Sequence, residues 1–140
     1  MKDIYTIGYS SFKINDFIRI LKKYKINALI DVRSNPNSKN YQDYNKFNLQ
    51  KHLNKSNIIY RNYKDEFGAR QGDIQYFTDD YLDFNKYTKS KSFLNGVKKI
   101  EEGIKLNYTF VLMCAEKDPS TCHRNIMVAR KFYELGYNVK

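Results

Sequence analysis

Hydrophobic positions along the chain follow two alternating rhythms. Short, nearly continuous apolar runs occur at residues 4–8 (IYTIG), 27–32 (NALIDV), 58–62 (IIYRN) and 108–114 (YTFVLMC). Their length and their content of β-branched and aromatic residues mark them as buried strands. Between them lie stretches with helical spacing. Residues 13–24 place Ile14, Phe17, Ile18 and Leu21 on one i, i+3, i+4, i+7 stripe. Further helices are expected over 46–54, over 92–102 with Gly103 as its end, and over 119–135 with Gly136 just past the last turn. The final residues, YNVK, begin a fifth strand.

Strands alternating with helices specify a parallel sheet covered on both faces. The expected fold class is therefore α/β: a single domain over residues 1–140, with a mostly parallel sheet of about five strands flanked by helices, a Rossmann-like three-layer sandwich. No repeat, low-complexity tract or linker interrupts it. Residues 33–45 (RSNPNSKNYQDYN) are too rich in Asn, Ser and Pro to be regular. Residues 66–73 (EFGARQGD) read as an exposed loop, and 74–84 (IQYFTDDYLDF) as an aromatic-rich helix. In the last helix Asp118 suits the N-cap and Pro119 the first helical position, with Ser120 or Thr121 as alternative caps. Its two apolar stripes, Ile126, Ala129 and Tyr133 beside Val128, Phe132 and Leu135, predict a helix covered on more than one side.

Composition adds three constraints. The chain has 140 residues, enough for a packed core without disulfides or a structural metal. No apolar run reaches the ~20 residues of a membrane span, and the start lacks the features of a secretory signal, so a soluble cytoplasmic protein without membrane partners is expected. Lys and Arg number 25 against 15 Asp and Glu, a formal charge of +10. That excess points to a polyanionic partner, nucleic acid or a phosphorylated small molecule. It is equally what a compositional bias towards Lys, Asn, Ile and Tyr would produce on solvated helices.

Ligands of open parallel sheets bind beyond the carboxyl ends of the strands. The chemically distinctive residues of this chain fall there. Strand one ends in Gly8 and Ser10, strand two in Asp31, Arg33 and Ser34, and strand four in Cys114 and Glu116, while Cys122, His123 and Arg124 open the last helix. Arg33 is either the structural partner of Asp31 or a clamp for a phosphate or carboxylate, which its planar fork suits. Cys114 is either a small core residue or a thiolate stabilised by a helix N-terminus and a nearby Arg. Cys114, Cys122 and His123 are thus the candidate catalytic residues, and Gly8, Ser10, Asp31, Arg33, Ser34, Glu116 and Arg124 the candidate ligand-binding ones. Glu116 and Asp118 stand where a phosphate cradle carries glycines. The C-x7-C-H spacing lacks the paired knuckles of a zinc site, so neither a metal nor a cofactor is assigned.

The segments TIGYS (6–10), DVRSNPNS (31–38), YRNYKDEFGAR (60–70) and LMCAEKDPSTCHRN (112–125) together resemble the domain of unknown function 488 family of small bacterial and archaeal proteins. The resemblance covers essentially the whole chain and implies a fold and the place of a site, but no settled reaction. Two features depart from the family pattern: Tyr9 stands where a histidine is frequent, and the chain stops after Lys140, where members usually continue through a further strand. A looser likeness in layout, ALIDVRS followed by FVLMC, a loop and a helix, is to rhodanese-type sulfurtransferases, with Cys114 at the nucleophile position. Three functions are expected from these readings: a strand-end cleft for a phosphorylated or nucleic-acid-like ligand, a cysteine-dependent enzyme of sulfur transfer or thiol redox, and a non-enzymatic binding module.

Overall fold

The computed structural model describes residues 3–10, 12–33, 42–63, 67, 77–78, 81–82, 91–114 and 123–140. Five strands form one parallel sheet: β1 (Asp3–Gly8), β2 (Ala28–Asp31), β3 (Ile59–Asn62), β6 (Phe110–Cys114) and β7 (Asn138–Val139). Their spatial order is β3-β2-β6-β1-β7, and a separate antiparallel ladder joins β4 (Phe77–Thr78) to β5 (Tyr81–Leu82). The described residues include four α-helices: α1 (Ile14–Lys23), α2 (Lys46–Lys55), α3 (Lys91–Lys105) and α4 (His123–Glu134). The α/β class and the parallel sheet of five strands are as the hydrophobic pattern requires.

Side-chain alternation divides the core into two layers. On one face Leu29, Val111, Met113 and Ile7 pack against Phe17 and Leu21 of α1 and Leu49 and Leu53 of α2. On the other, Ile4, Ala28, Ile30, Phe110 and Leu112 meet Phe93, Val97 and Ile100 of α3 and Val128 and Phe132 of α4. Every residue of β2 and β6 is buried. Central parallel strands are covered on both sides, which is why these runs are continuously apolar rather than alternating.

The helices end by one device. Lys25, Asn57 and Asn107 have φ of 58°, 59° and 71°, and Gly136 has 94°. In each case the next residue's N–H reaches back across the turn: Ile26 to the Leu21 carbonyl at 3.0 Å, Ile58 to Leu53 at 2.9 Å, Tyr108 to Gly103 at 3.1 Å and Tyr137 to Phe132 at 3.0 Å. These left-handed reversals satisfy the last carbonyls and deliver the chain towards the following strand.

Two local expectations are corrected. Gly103 does not end α3, which runs on to Lys105. A Cβ at Gly103 would lie 2.5 Å from Phe110 Cζ, so this glycine permits close contact between helix and strand, and Asn107 makes the turn. Within 74–84, expected to be helical, the β4–β5 ladder forms instead. Phe, Thr and Tyr favour the pleated state, and here they outweigh the helical spacing. On α4 the two expected apolar stripes are unevenly buried among the described side chains, with Ala129 packed against the core. Val128 and Phe132 are fully buried, while Tyr133 is 72% exposed. The caps considered for this helix, residues 118–121, and the loop 66–73, apart from the buried Phe67, lie outside the described residues.

Two substitutions test this account. Gly103→Ala is expected to lower stability by about 1–3 kcal/mol through overpacking against Phe110, although alanine is the better helix former. Lys25→Gly should raise it by up to about 1 kcal/mol by relieving a left-handed backbone. Urea unfolding of both variants checks the signs.

Candidate functional site

The chain leaves β2 for α2 on one face of the sheet and leaves β6 for α4 on the other. These strands are neighbours, so their connections diverge at the carboxyl ends, the place where ligands of open parallel sheets bind. Backbone bonds continue past the strands and hold the rim. Val32 N–H donates to the Met113 carbonyl at 3.1 Å, Tyr9 N–H to the Cys114 carbonyl at 3.2 Å, and Tyr63 N–H to the Asp31 carbonyl at 3.0 Å.

At the end of β2, Asp31 is 0% exposed and Arg33 7% exposed. Their side chains form a two-pronged ion pair. Arg33 Nε lies 2.9 Å and 3.1 Å from the two carboxylate oxygens, and Nη2 lies 2.7 Å from Oδ2. The Arg33 backbone N–H also donates to Asp31 Oδ1 at 3.0 Å. Tyr60, on the neighbouring strand β3, donates its hydroxyl to Oδ2 at 2.6 Å. Burial of two charges is costly unless their hydrogen-bonding capacity is met, and here the carboxylate is met from three directions.

The guanidinium in turn organises the chain beyond β2. Nη2 donates to the Tyr44 carbonyl at 2.8 Å, fixing the single 3₁₀ turn Gln42–Tyr44 that leads into α2. The Tyr9 ring lies under the guanidinium, 5.1 Å from its central carbon, and stacks on Tyr44 with centroids 4.4 Å apart. Tyr44 packs edge-on against Phe17 and donates its hydroxyl to the Phe12 carbonyl at 2.8 Å. Arg33 Nη1, by contrast, is buried and has no hydrogen-bond partner among the described residues.

Charge and burial oppose each other in this cluster. Burial would favour a neutral Arg33, but the hydrogen bonds and charge of Asp31 outweigh it and hold the guanidinium above its ordinary value. Burial, reinforced by the Asp31 charge, pushes the Tyr60 hydroxyl well above the usual phenol range. Burial does the same for Tyr44, with Asp43 adding to it. Both phenols are therefore neutral at physiological pH.

Cys114 ends β6 in register with Gly8 of β1, and it is 1% exposed. Its side chain belongs to the layer of Ile30, Leu112, Phe93 and Val128, beneath α3 and α4. Asp31 is offset by one position from that layer, and its partner Tyr60 belongs to the layer beneath α1 and α2. The strand ends thus bring Gly8, Asp31, Arg33 and Cys114 to one rim, while Cys114 and the ion pair leave the sheet on opposite faces. Ser10 is half-buried just beyond Tyr9. Ser34, Glu116 and Cys122 lie outside the described residues. So do the side chains of His123 and Arg124, whose backbone opens α4. Among the described residues no three His, Cys, Asp or Glu side chains gather where a metal ion could bind.

Three residues of this cluster are not legible in the sequence as site residues. Tyr9, Tyr44 and Tyr60 are among 13 tyrosines of the chain, and nothing in their local spacing distinguishes them. The available signal is position. Tyr60 lies beside Leu29 in the ladder, in the layer beneath α1 and α2, and a buried tyrosine needs a partner for its hydroxyl.

Removing one member of the pair should be far costlier than removing both. Asp31→Ala and Arg33→Ala are each expected to cost about 3–5 kcal/mol, and the double variant clearly less than their sum. Denaturant titration of the three variants measures the coupling. The raised Tyr60 ionisation has its own signature. A folded-state value above the unfolded value of 10.0 means stability is complete below pH 10 and falls as pH rises beyond it. Tyr60→Phe should flatten that alkaline loss, as read by thermal unfolding against pH.

No helix among the described residues is long and apolar enough to cross a membrane. No curated protein and no solved structure gives a significant match to the chain. A family model, however, matches residues 13–130, a span that takes in α1, the Asp31–Arg33 pair, the tyrosines around it except Tyr9, and β6 with Cys114. On that match the chain belongs to the family described as Domain of unknown function DUF488.

Proposed function

We propose that the strand-end crevice beside β2 and β6 binds an anionic ligand of the phosphate class, a phosphorylated small molecule or a nucleic-acid phosphate, with Arg33 as the central contact. The observation that carries this reading is the geometry of one guanidinium. Nε and Nη2 are fully engaged by Asp31 and Tyr44, and Nη1 remains a buried donor without a partner among the described residues. Buried donors are seldom left unused, and a fork already locked by a carboxylate on one side is pre-oriented to grip an oxyanion with the other. Little side-chain entropy is then lost on binding. Because Asp31 neutralises Arg33, long-range attraction is left to the excess of 25 basic over 15 acidic residues in the chain. From the sequence, Ser34, which follows Arg33, and Arg124, in the first turn of α4, are the further contacts proposed for this ligand, with Gly8, Ser10 and Glu116 as the remaining expected ligand-binding residues.

Reaction through Cys114 receives less support. A thiol that is 1% exposed and set in one apolar layer with Phe93 and Val128 lacks the accessibility of a nucleophile. The reading is therefore a binding site whose ion pair is its scaffold, working in the cytoplasm.

The test reads Arg33 directly. Inorganic phosphate and a nucleoside monophosphate are titrated into the protein while the side-chain N–H resonances of its arginines are followed by NMR. The expected result is a saturable shift at Arg33 that weakens as salt is raised, with Arg19 and Arg130 unmoved. An Arg33 resonance unchanged up to saturating ligand overturns the proposal.

A further inference from the structure

A cavity of about 290 Å³ lies between α1 and the β1–β7 side of the sheet, partly open to solvent. Its depth is apolar: Ile7, Leu21, Ile26 and Val111 line it, and each is buried. Its outer part is aromatic. Ile20 and Tyr24, four residues apart on α1 and its C-cap, stand beside the buried pair Phe17 and Leu21. Tyr24 meets Tyr5 of β1 with ring centroids 5.4 Å apart, and it is 47% exposed, so this wall faces water. An apolar cavity of about 150 Å³ holds a benzene molecule, and this one has room for a second fused ring.

Positive charge meets the same wall. Lys140 Nζ lies 5.9 Å from the Tyr5 ring centroid, and Lys23 Nζ lies 5.6 Å from that of Tyr24. One acid answers them: Asp3 Oδ2, 3.1 Å from the Lys140 ammonium, whose side chain is still 51% exposed. Lys23 forms no ion pair among the described residues. Two ammonium groups against one carboxylate leave a positive mouth over an apolar interior. The backbone beside it is already engaged. Lys140 N–H donates to the Ile4 carbonyl at 2.9 Å, and Thr6 N–H donates to the Lys140 carbonyl at 3.2 Å. An extended peptide would find these rungs of the ladder taken.

We propose that this cavity binds a small aromatic carboxylate, with its flat ring system between α1 and β1 and its carboxylate at Lys140 and Lys23. Tyr5 and Tyr24 offer the offset and edge contacts that a flat ring accepts. The apolar interior supplies affinity, and the few polar groups at the mouth fix the orientation. The site is separate from the one assigned to Arg33. Tyr24 and Ile26 bracket the turn that precedes β2, whereas Arg33 follows that strand, so the two readings stand or fall independently.

Naphthoate is the probe, titrated into the whole chain and followed by NMR, with circular dichroism confirming that each variant is folded. Saturable binding with a Kd below about 1 mM is expected, with shifts at Tyr5, Ile20 and Tyr24. Ile20→Trp fills the cavity and should abolish binding. Lys23→Gln combined with Lys140→Gln should weaken it about tenfold, the loss of one charge-assisted contact. Naphthylmethanol, which keeps the ring and lacks the charge, should bind about tenfold more weakly than the acid for the same reason. Phe47→Ala on α2 and an excess of inorganic phosphate should leave the Kd unchanged. The proposal is overturned by absence of saturable binding in the millimolar range, by undiminished affinity in folded Ile20→Trp or in the double lysine variant, or by equal binding of acid and alcohol. Displacement by inorganic phosphate also overturns it, because the anion would then sit at Arg33.

Discussion

Asp31 carries a carboxylate to a point with no solvent exposure, and the carboxyl end of the sheet is built to keep it there. Left alone, such a charge would cost several kcal/mol. Its partners come from three parts of the chain: Arg33 from the same strand end, Tyr60 from β3, and, through Arg33, the Tyr44 carbonyl ahead of α2. The pair therefore does more than cancel charge. It ties the end of β2 to the 3₁₀ turn ahead of α2, and Tyr9 and Tyr44 stack beside it. Apolar residues of similar volume often match a buried ion pair in stability, but they would not tie three segments to one group of atoms.

The sheet and its four helices are legible in the sequence because their signals are long and redundant. Continuous apolar runs at 27–32 and 108–114 leave no option but strands covered on both sides, and Phe17 and Leu21 mark one buried side of α1. The pattern misleads where one residue type has two uses. Gly103 reads as a helix end because glycine tolerates positive φ, whereas its missing Cβ makes room for Phe110, and the reversal is made by Asn107. Tyr133 has the spacing of a core residue and lies in solvent, since periodicity states which residues share a side and not whether anything covers it.

The candidate site is legible as a place rather than as a mechanism. Strand-end logic brings Gly8, Asp31, Arg33 and Cys114 to one rim, and the two readings of Arg33 both have a counterpart in the geometry: Nε and Nη2 serve Asp31, and Nη1 is left for something else. What one-dimensional reasoning lacks is the parity of each residue on its strand. Residues adjacent in a series of strand ends diverge in space when their registers differ by one, as Cys114 and Asp31 do: the neighbour of Asp31 across the ladder is Met113.

That parity makes the sheet a partition. The sulfur of Cys114 and the guanidinium of Arg33 belong to separate compartments, joined mainly by the backbone rungs between β2 and β6, such as Val32 N–H to the Met113 carbonyl at 3.1 Å. Enlarging the thiol, by oxidation or by substitution, would strain the layer that holds Phe93 and Val128 rather than the layer of Tyr9, Tyr44 and Tyr60. Chemistry on one side would reach the other only as a shift of strand against strand, so each compartment is free to change its side chains without retuning the other.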